Sequence, residues 1–279
     1  MKKKKWLVGG VVVLLVSFYS LFTVRNLFTP RGFAADKDKR PLIVAHRGGA
    51  ELGQENTLSC IELGIAAGAD MVEIDVHYTK DNHIVVMHDT TVDRTTNGKG
   101  EISAMTLAQV RELRIKDASG NITGDLVPTL DEVMELVQGR VKLLIEVKPA
   151  GIKYEGIEQA LMDTIHKYDA QSWVVVQSFD DAILEKLHAI SPAQRLEKLF
   201  IFRFPGVPLV FDGNVTAFSF EKYSYISSFN IHYSAASQSL INEIHRHGKE
   251  VKIWTVRGPQ STPAVTVDGI ITDRPDLWR

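Results

Sequence analysis

The sequence predicts a (β/α)8 barrel of the TIM type, and three observations carry that expectation. Short β-branched runs recur from residue 41 onward, most are followed by a segment with helical spacing of apolar residues, and about eight such units fit into residues 41–279. Alternation of strand and helix implies a mainly parallel sheet, and a chain of about 250 residues so built suits a closed barrel better than a doubly wound sheet. In order, the runs are LIVAH (42–46), MVEIDV (71–76), IVVMH (84–88), KLLIEV (142–147), WVVVQ (173–177), LFIF (199–202), VKIWTV (251–256) and VDGII (267–271). Two weaker runs lie at 215–220 and 229–233. Helices are expected over 57–67, 129–137, 157–168, 180–190 and 237–247, where apolar residues recur at helical spacing.

The rhythm breaks twice. Residues 89–128, rich in glycine and threonine, separate the third run from the Pro128-Thr129-Leu130 that opens the next helix. They are read as a small insertion after the third strand, at the barrel mouth. Their DRTTNGKG stretch lacks the acidic spacing and terminal glutamate of a calcium loop. Pro259 and Pro263 likewise exclude a regular amphipathic helix between the last two runs. Neither G-x-G-x-x-G nor a P-loop occurs, so nucleotide-binding versions of an α/β fold lose support.

Composition narrows the class. A chain of 279 residues that is 44% hydrophobic and 24% charged is too apolar for a disordered protein and too polar for a polytopic membrane protein. The net charge of −2 hides an asymmetry, since residues 1–40 hold nine Lys or Arg against two Asp, whereas 41–279 hold 23 basic against 32 acidic residues. So acidic a body, without a local basic stripe, is not expected to bind nucleic acid. The lone Cys60 has no partner for a disulfide and reads as a small buried residue.

Residues 6–24 are nineteen without a charge, roughly 28 Å if helical, which is enough to cross a hydrocarbon core. Lys2–Lys5 precede them, so residues 1–5 are expected in the cytoplasm and the acidic body outside it. Residues 25–40 form a tether, and 41–279 the barrel domain. A cleaved signal is the competing reading, with Phe33-Ala34-Ala35 as the site. The apolar stretch is longer than a usual signal core, and Arg25 and Arg31 intervene, which favours a single-pass anchor.

In such barrels chemistry sits at the carboxyl ends of the strands. Here the first run ends in His46-Arg47, the second carries Glu73 and Asp75, the third ends in His88-Asp89, and the fourth carries Glu146 and reaches Lys148. Strand side chains alternate faces, so Glu73 with Asp75, and Glu146 with Lys148, are expected to point inward, while Val72, Ile74, Ile145 and Val147 point toward the helices. Three converging carboxylates repel one another unless a cation intervenes. An all-oxygen set favours Mg²⁺ or Ca²⁺ over zinc, with Mn²⁺ also compatible. The alternative is a structural network with Arg47 and Lys148. Two histidines at neighbouring strand ends supply a base and an acid, and Arg47 and Lys148 supply charge for an anionic substrate; phosphoryl transfer needs those parts.

The run HRGGAELGQENTLSCIELGIAAGADMVEIDVHYTKDNHIVVMHDTTVDRTTNGKG (46–100), with VPTLDEVMEL, LLIEVKP, VVVQSFD, VKIWTV and GIITDRPD following in order, resembles the glycerophosphodiester phosphodiesterase family over essentially all of 41–279. The resemblance implies hydrolysis of a glycerophosphodiester to glycerol 3-phosphate and an alcohol, with a divalent cation. By motif it places catalytic roles on His46 and His88, metal ligation on Glu73, Asp75 and Glu146, phosphate binding on Arg47 and Lys148, and supporting roles on Glu55 and Asn56. Trp254 is a candidate lining residue of the glycerol pocket. Gln54 replaces the usual proline before ENT, and Arg257 stands where asparagine is common, so recognition of the alcohol is the part least covered. Two other functions compete: a membrane-associated lysophospholipase D, favoured if Phe202, Phe204 and Phe211 form an exposed apolar rim, and a non-catalytic barrel that binds a phosphorylated ligand.

Overall fold

Eight parallel strands close into a barrel in the computed structural model, which describes residues 40–149, 154–204 and 207–278. The barrel strands are β1 (Leu42–Ala45), β2 (Met71–Tyr78), β4 (Lys142–Val147), β5 (Val174–Ser178), β6 (Leu196–Phe200), β10 (Ser228–His232), β11 (Glu250–Trp254) and β12 (Gly269–Thr272). They pair in that order, and β12 returns to β1 in parallel register, Leu42 opposite Gly269 and Ala45 opposite Thr272. The expected anchor at residues 6–24 lies outside the described residues, and among those described no helix is long and apolar enough to cross a membrane.

Two of the sequence expectations change places. The run 84–88 is not a barrel strand: β3 (Ile84–Val86) pairs antiparallel with β2, Tyr78 opposite Ile84. The physical reason is the connection, because only residues 79–83 separate the two strands, whereas a parallel partner needs a crossover of a dozen or more. The insertion therefore begins with this hairpin. Barrel membership passes to the weak run at 229–233, which is β10. The run at 215–220 contributes β9 (Val215–Ala217) to a small antiparallel sheet with β7 (Phe202–Arg203) and β8 (Leu209–Phe211).

Among the described residues, five helices lie where apolar periodicity predicts them, and a sixth forms in the insertion, where the sequence predicts none. They are α1 (Leu58–Ala66), α2 (Leu107–Glu112), α3 (Leu130–Val137), α4 (Ile157–Lys167), α5 (Asp181–Ile190) and α6 (Gln238–Arg246). Thr57, Thr106, Thr129, Asp180 and Ser237 each accept a backbone N–H at the helix start, which explains the sharp boundaries. Between β11 and β12 only one 3₁₀ turn forms, Pro259–Ser261, in keeping with the two prolines.

Strand alternation divides the core. Val72, Ile74, Ile145 and Val147 pack outward into the main apolar cluster beneath the helices, as expected. Inside the barrel Val44, Met71, Leu144, Val175 and Ile271 form a separate apolar layer, with Trp254 over it. The insertion has its own core of Val85, Met87, Val92, Ile102, Val110, Ile115 and Val127. Its period-2 signature is shared: Val85 faces the insertion while Ile84 and Val86 face the main core.

Candidate active site

The site starts at a strained turn. After β1 the chain turns through His46, Arg47 and Gly48, with Arg47 at φ 51° and Gly48 at φ 87°. A left-handed non-glycine residue costs about 1–2 kcal/mol. It is held here because the Arg47 N–H donates to Glu73 Oε2 at 2.8 Å. Gly64 of α1 completes the turn's seat, since a Cβ there would lie 2.3 Å from the Gly48 carbonyl oxygen. The glycines of HRGG and IELG thus bring α1 against the turn.

Glu73, Asp75 and Glu146 converge as the alternation requires, each offering an oxygen within 4.8 Å of the others, all buried. Asn56, itself at φ 60°, clips Asp75 from both sides: its Nδ2 donates to Oδ2 at 2.8 Å and its Oδ1 accepts the Asp75 N–H at 3.2 Å. Lys148 Nζ lies 2.5 Å from Glu146 Oε1 and 2.8 Å from Asp75 Oδ1, and Arg47 Nε is 3.6 Å from Asp75 Oδ2. Two cations thus face three carboxylates, and the shortfall is visible in the proton equilibria. Burial, with Asp75 and Glu146 alongside, pushes Glu73 up to about 8. Burial also raises Glu146, despite Lys148. Burial would raise Asp75 as well, but Lys148, His88 and Arg47 outweigh it and hold that carboxyl low. A buried, all-oxygen set that cannot hold three negative charges on its own fits a hard divalent cation, Mg²⁺ or Ca²⁺, and gives zinc no nitrogen or sulfur.

Each imidazole has its own carboxylate. His46 Nδ1 lies 2.6 Å from Asp273 Oδ1, and His88 Nδ1 lies 2.8 Å from Asp89 Oδ1, so both rings keep Nε2 for other chemistry. Their balance differs. Burial lowers the basicity of His46, but Asp273 and Glu73 overcome it and the pKa is raised. Burial lowers His88, and Lys148 and Arg47 reinforce the fall against Asp75. Asp89 is in addition shared: Arg94 binds it through Nε at 2.7 Å, and the same guanidinium grips Glu55 at 2.7 and 2.8 Å. Glu55 in turn accepts from Arg47 Nη1 at 3.0 Å. One chain of ion pairs, Arg47–Glu55–Arg94–Asp89, therefore ties the turn after β1 to the imidazole of His88.

Sequence reasoning singled out neither Asp273 nor Arg94 nor His77 as a working residue. Asp273 was legible by the rule that strand ends carry the chemistry, because it follows β12 directly. Arg94 was hidden in the turn-rich insertion. His77 is buried on β2, donates through Nε2 to the His88 carbonyl at 3.0 Å, and accepts from the Tyr154 hydroxyl at Nδ1, 2.6 Å away. A carbonyl can only accept, so the ring is the neutral Nε2–H tautomer, and burial accordingly lowers its pKa to about 4. Trp254, at the end of β11, donates from Nε1 to the Asn230 carbonyl at 2.9 Å and stands edge-on to Phe179 and His232.

Fold and site define a class: a (β/α)8 barrel whose carboxyl rim carries buried carboxylates, two carboxylate-oriented imidazoles and paired cations. The glycerophosphoryl diester phosphodiesterase family model matches residues 46–277, and the chain belongs to that family. It is 34% identical over 243 residues to a glycerophosphodiester phosphodiesterase of Caldanaerobacter subterraneus, covering 85% of this chain and 96% of that one. It is 28% identical over 291 residues to a glycerophosphodiester phosphodiesterase of Bacillus subtilis, covering 96% and 93%. Its fold is similar to that of an Oleispira antarctica phosphodiesterase solved in complex with the product sn-glycerol-3-phosphate, with TM-score 0.69, 24% identity, and coverage of 87% of this chain and 96% of that one.

Proposed function

We propose that this protein hydrolyses glycerophosphodiesters to glycerol 3-phosphate and an alcohol by acid–base chemistry at His46 and His88, with a divalent cation, Mg²⁺, Ca²⁺ or Mn²⁺, held by Glu73, Asp75 and Glu146. The observation that carries this reading is the meeting of three buried carboxylates with two imidazoles, each fixed through Nδ1 by a carboxylate of its own. A bound cation would supply Lewis-acid stabilisation of charge on the phosphate oxygens. Arg47 adds positive charge beside the same position, and Lys148 sits within the carboxylate group.

The unequal partners of the two histidines set their order of action. Asp89 is already neutralised by Arg94, so His88 gains little basicity from it, and its ring starts neutral and ready to accept a proton. Against burial, Asp273 and Glu73 raise the basicity of His46, and we assign it the proton at the start. In the first step His88 takes the proton of the substrate's vicinal hydroxyl, the alkoxide bonds to phosphorus, the bond to the alcohol oxygen breaks, and His46 protonates that oxygen. In the second step the roles reverse: His46 takes a proton from water, the new bond to phosphorus opens the cyclic ester, and His88 returns its proton to the glycerol oxygen.

We further propose that residues 6–24 anchor the protein and that the barrel works on the extracytoplasmic side, on the strength of the uncharged nineteen-residue stretch behind Lys2–Lys5.

Glycerophosphocholine assayed with the full-length protein tests the reaction. Glycerol 3-phosphate release should vanish with EDTA and return with Mg²⁺ or Ca²⁺; activity indifferent to chelation overturns the metal assignment. The histidine assignment is tested with a p-nitrophenyl leaving group, which departs without a proton. Measured as release of the leaving group in a single turnover, His88→Ala should lose on the order of 10²-fold or more on both substrates, and His46→Ala should lose that on glycerophosphocholine but far less on the p-nitrophenyl ester, whose first step needs no acid. Equal losses for His46→Ala on both remove it as the first-step acid.

A further inference from the structure

After β6 the barrel lacks the usual helix, and the small sheet β7–β8–β9 takes its place. Pairing puts Phe202 opposite Phe211, Leu209 opposite Ala217, and Phe211 opposite Val215. Opposed residues share a face and alternate residues return to it. One face therefore carries Phe202, Phe204, Leu209, Phe211, Val215 and Ala217, without a polar residue among them. Phe202 stacks on Phe211 with centroids 5.4 Å apart and meets Phe204 edge-on at 4.8 Å. The other face is the packed one: Val210 is fully buried, and Arg203 lies over Phe218 and pairs with Glu243 of α6. The apolar face is half-buried at Phe202, Phe204, Leu209 and Phe211 and opens to solvent at Ala217 and Val215, the latter 58% exposed, with nearby Val207 44% exposed. An ordinary surface sheet alternates the other way, apolar inside and polar outside.

We propose that this face rests on the lipid bilayer. The proposal builds on the anchored reading above. If residues 6–24 span the membrane, the fifteen residues 25–39 can reach at most about 50 Å, so the barrel never leaves the vicinity of the bilayer. A second contact with that bilayer is then intramolecular, so the patch needs little membrane affinity of its own. A soluble partner would gain no such advantage from six apolar side chains. The aromatic residues Phe202, Phe204 and Phe211 supply the rings, and Val207 and Val215 the tip.

Full-length protein in phosphatidylcholine vesicles tests this with a fluorophore on Val215→Cys, compared with the same fluorophore on Lys99→Cys of the insertion. Buried Cys60 leaves each label unique. Brominated acyl chains should quench the label at 215 and leave that at 99 unquenched, while aqueous iodide should do the reverse. Resistance to carbonate extraction reports the anchor separately. Stable anchoring with a label at 215 as iodide-accessible as that at 99 overturns the surface and spares the anchor. Extraction by carbonate with continued vesicle binding that Val215→Asp abolishes overturns the anchor and spares the surface. A label at 215 shielded without lipid, in a protein that light scattering shows to be dimeric, overturns the bilayer in favour of a second copy.

Discussion

The interior of the barrel holds two polar groups that solve the problem of buried charge in opposite ways. On β6, β10 and β11, Glu197 and Lys252 are both essentially inaccessible and pair at 2.6 Å, and Asn230 Nδ2 donates to the second oxygen of Glu197 at 2.8 Å. That side is balanced: Arg195 Nε also stands 3.7 Å from Glu197, and Glu250 pairs with Arg195 and lies 3.9 Å from Lys252, so two acids meet two bases around a neutral amide. On β2 and β4, three carboxylates share two cations, and the uncompensated charge appears as a Glu73 that holds its proton to about 8. A protein that can bury a matched ion pair a few strands away does not leave an unmatched acid by accident of packing. The difference separates charge matched within the fold from a surplus that fits an external cation.

Mutating one acid or base on each side breaks or upholds this contrast. Glu73→Ala should cost on the order of 10³-fold in glycerophosphocholine turnover, since several kcal/mol of charge stabilisation depend on a bound cation. Glu73→Gln, which keeps an oxygen for the Arg47 N–H, should leave the melting temperature in EDTA unchanged or higher, because a buried surplus charge is removed. Lys252→Met should do the reverse, with about 3–5 kcal/mol less stability, because the buried Glu197 keeps only the Asn230 amide and Arg195 at 3.7 Å, and near-normal kcat in the protein that remains folded. Adding Glu197→Met to Lys252→Met should recover most of the loss. Denaturant titrations measure both, and equal stability losses for Glu73→Gln and Lys252→Met erase the distinction.

A pH series sharpens it. Glu73 ordinarily titrates near 4.5 and in the fold near 8. Between those values the native state binds more protons than the unfolded chain, so stability falls as pH rises through that window. In EDTA the melting temperature of the wild type should decline from pH 5 to 8 relative to Glu73→Gln, which has no proton to lose. Saturating Mg²⁺ should remove the decline, because the cation replaces the proton. Parallel curves for wild type and Glu73→Gln in EDTA refute the surplus-charge argument.

Much of the candidate site was legible because its residues interrupt strongly apolar strands: in MVEIDV and KLLIEV the acids stand out against a buried background, and strand alternation places them. The opposite side was not, for the same physical reason inverted. Ser228, Asn230 and His232 occupy the inward positions of β10, so the strand lost its apolar signature and IVVMH, with a stronger pattern, took its place in the expectation. The five-residue link before β3 was the overlooked constraint. Glu197 and Lys252 were invisible as a pair because their partnership depends on a closed barrel joining β6 to β11 through β10. Arg94 was hidden similarly, since its two carboxylates come from the turn after β1 and the end of the hairpin.

The weakest contact between the two groups gives the smallest expected effect. Gln177 Nε2 stands 3.5 Å from Glu73 Oε1, at the limit of a hydrogen bond, whereas its Oε1 accepts firmly from Asn230 at 2.7 Å. The amide is therefore held by the balanced side and only leans on the surplus side. If the two groups are separate devices, Gln177→Leu should weaken the apparent affinity for Mg²⁺ by less than about tenfold, the low end for partners of metal ligands. kcat at saturating Mg²⁺ should stay within about twofold, since a 3.5 Å contact supplies little of the net 0.5–1.5 kcal/mol of an ordinary hydrogen bond. Activity measured against Mg²⁺ concentration decides it. A hundredfold loss of affinity would mean that Glu197 and Lys252 act on the cation through Gln177 and Asn230, and that the interior is one network rather than two.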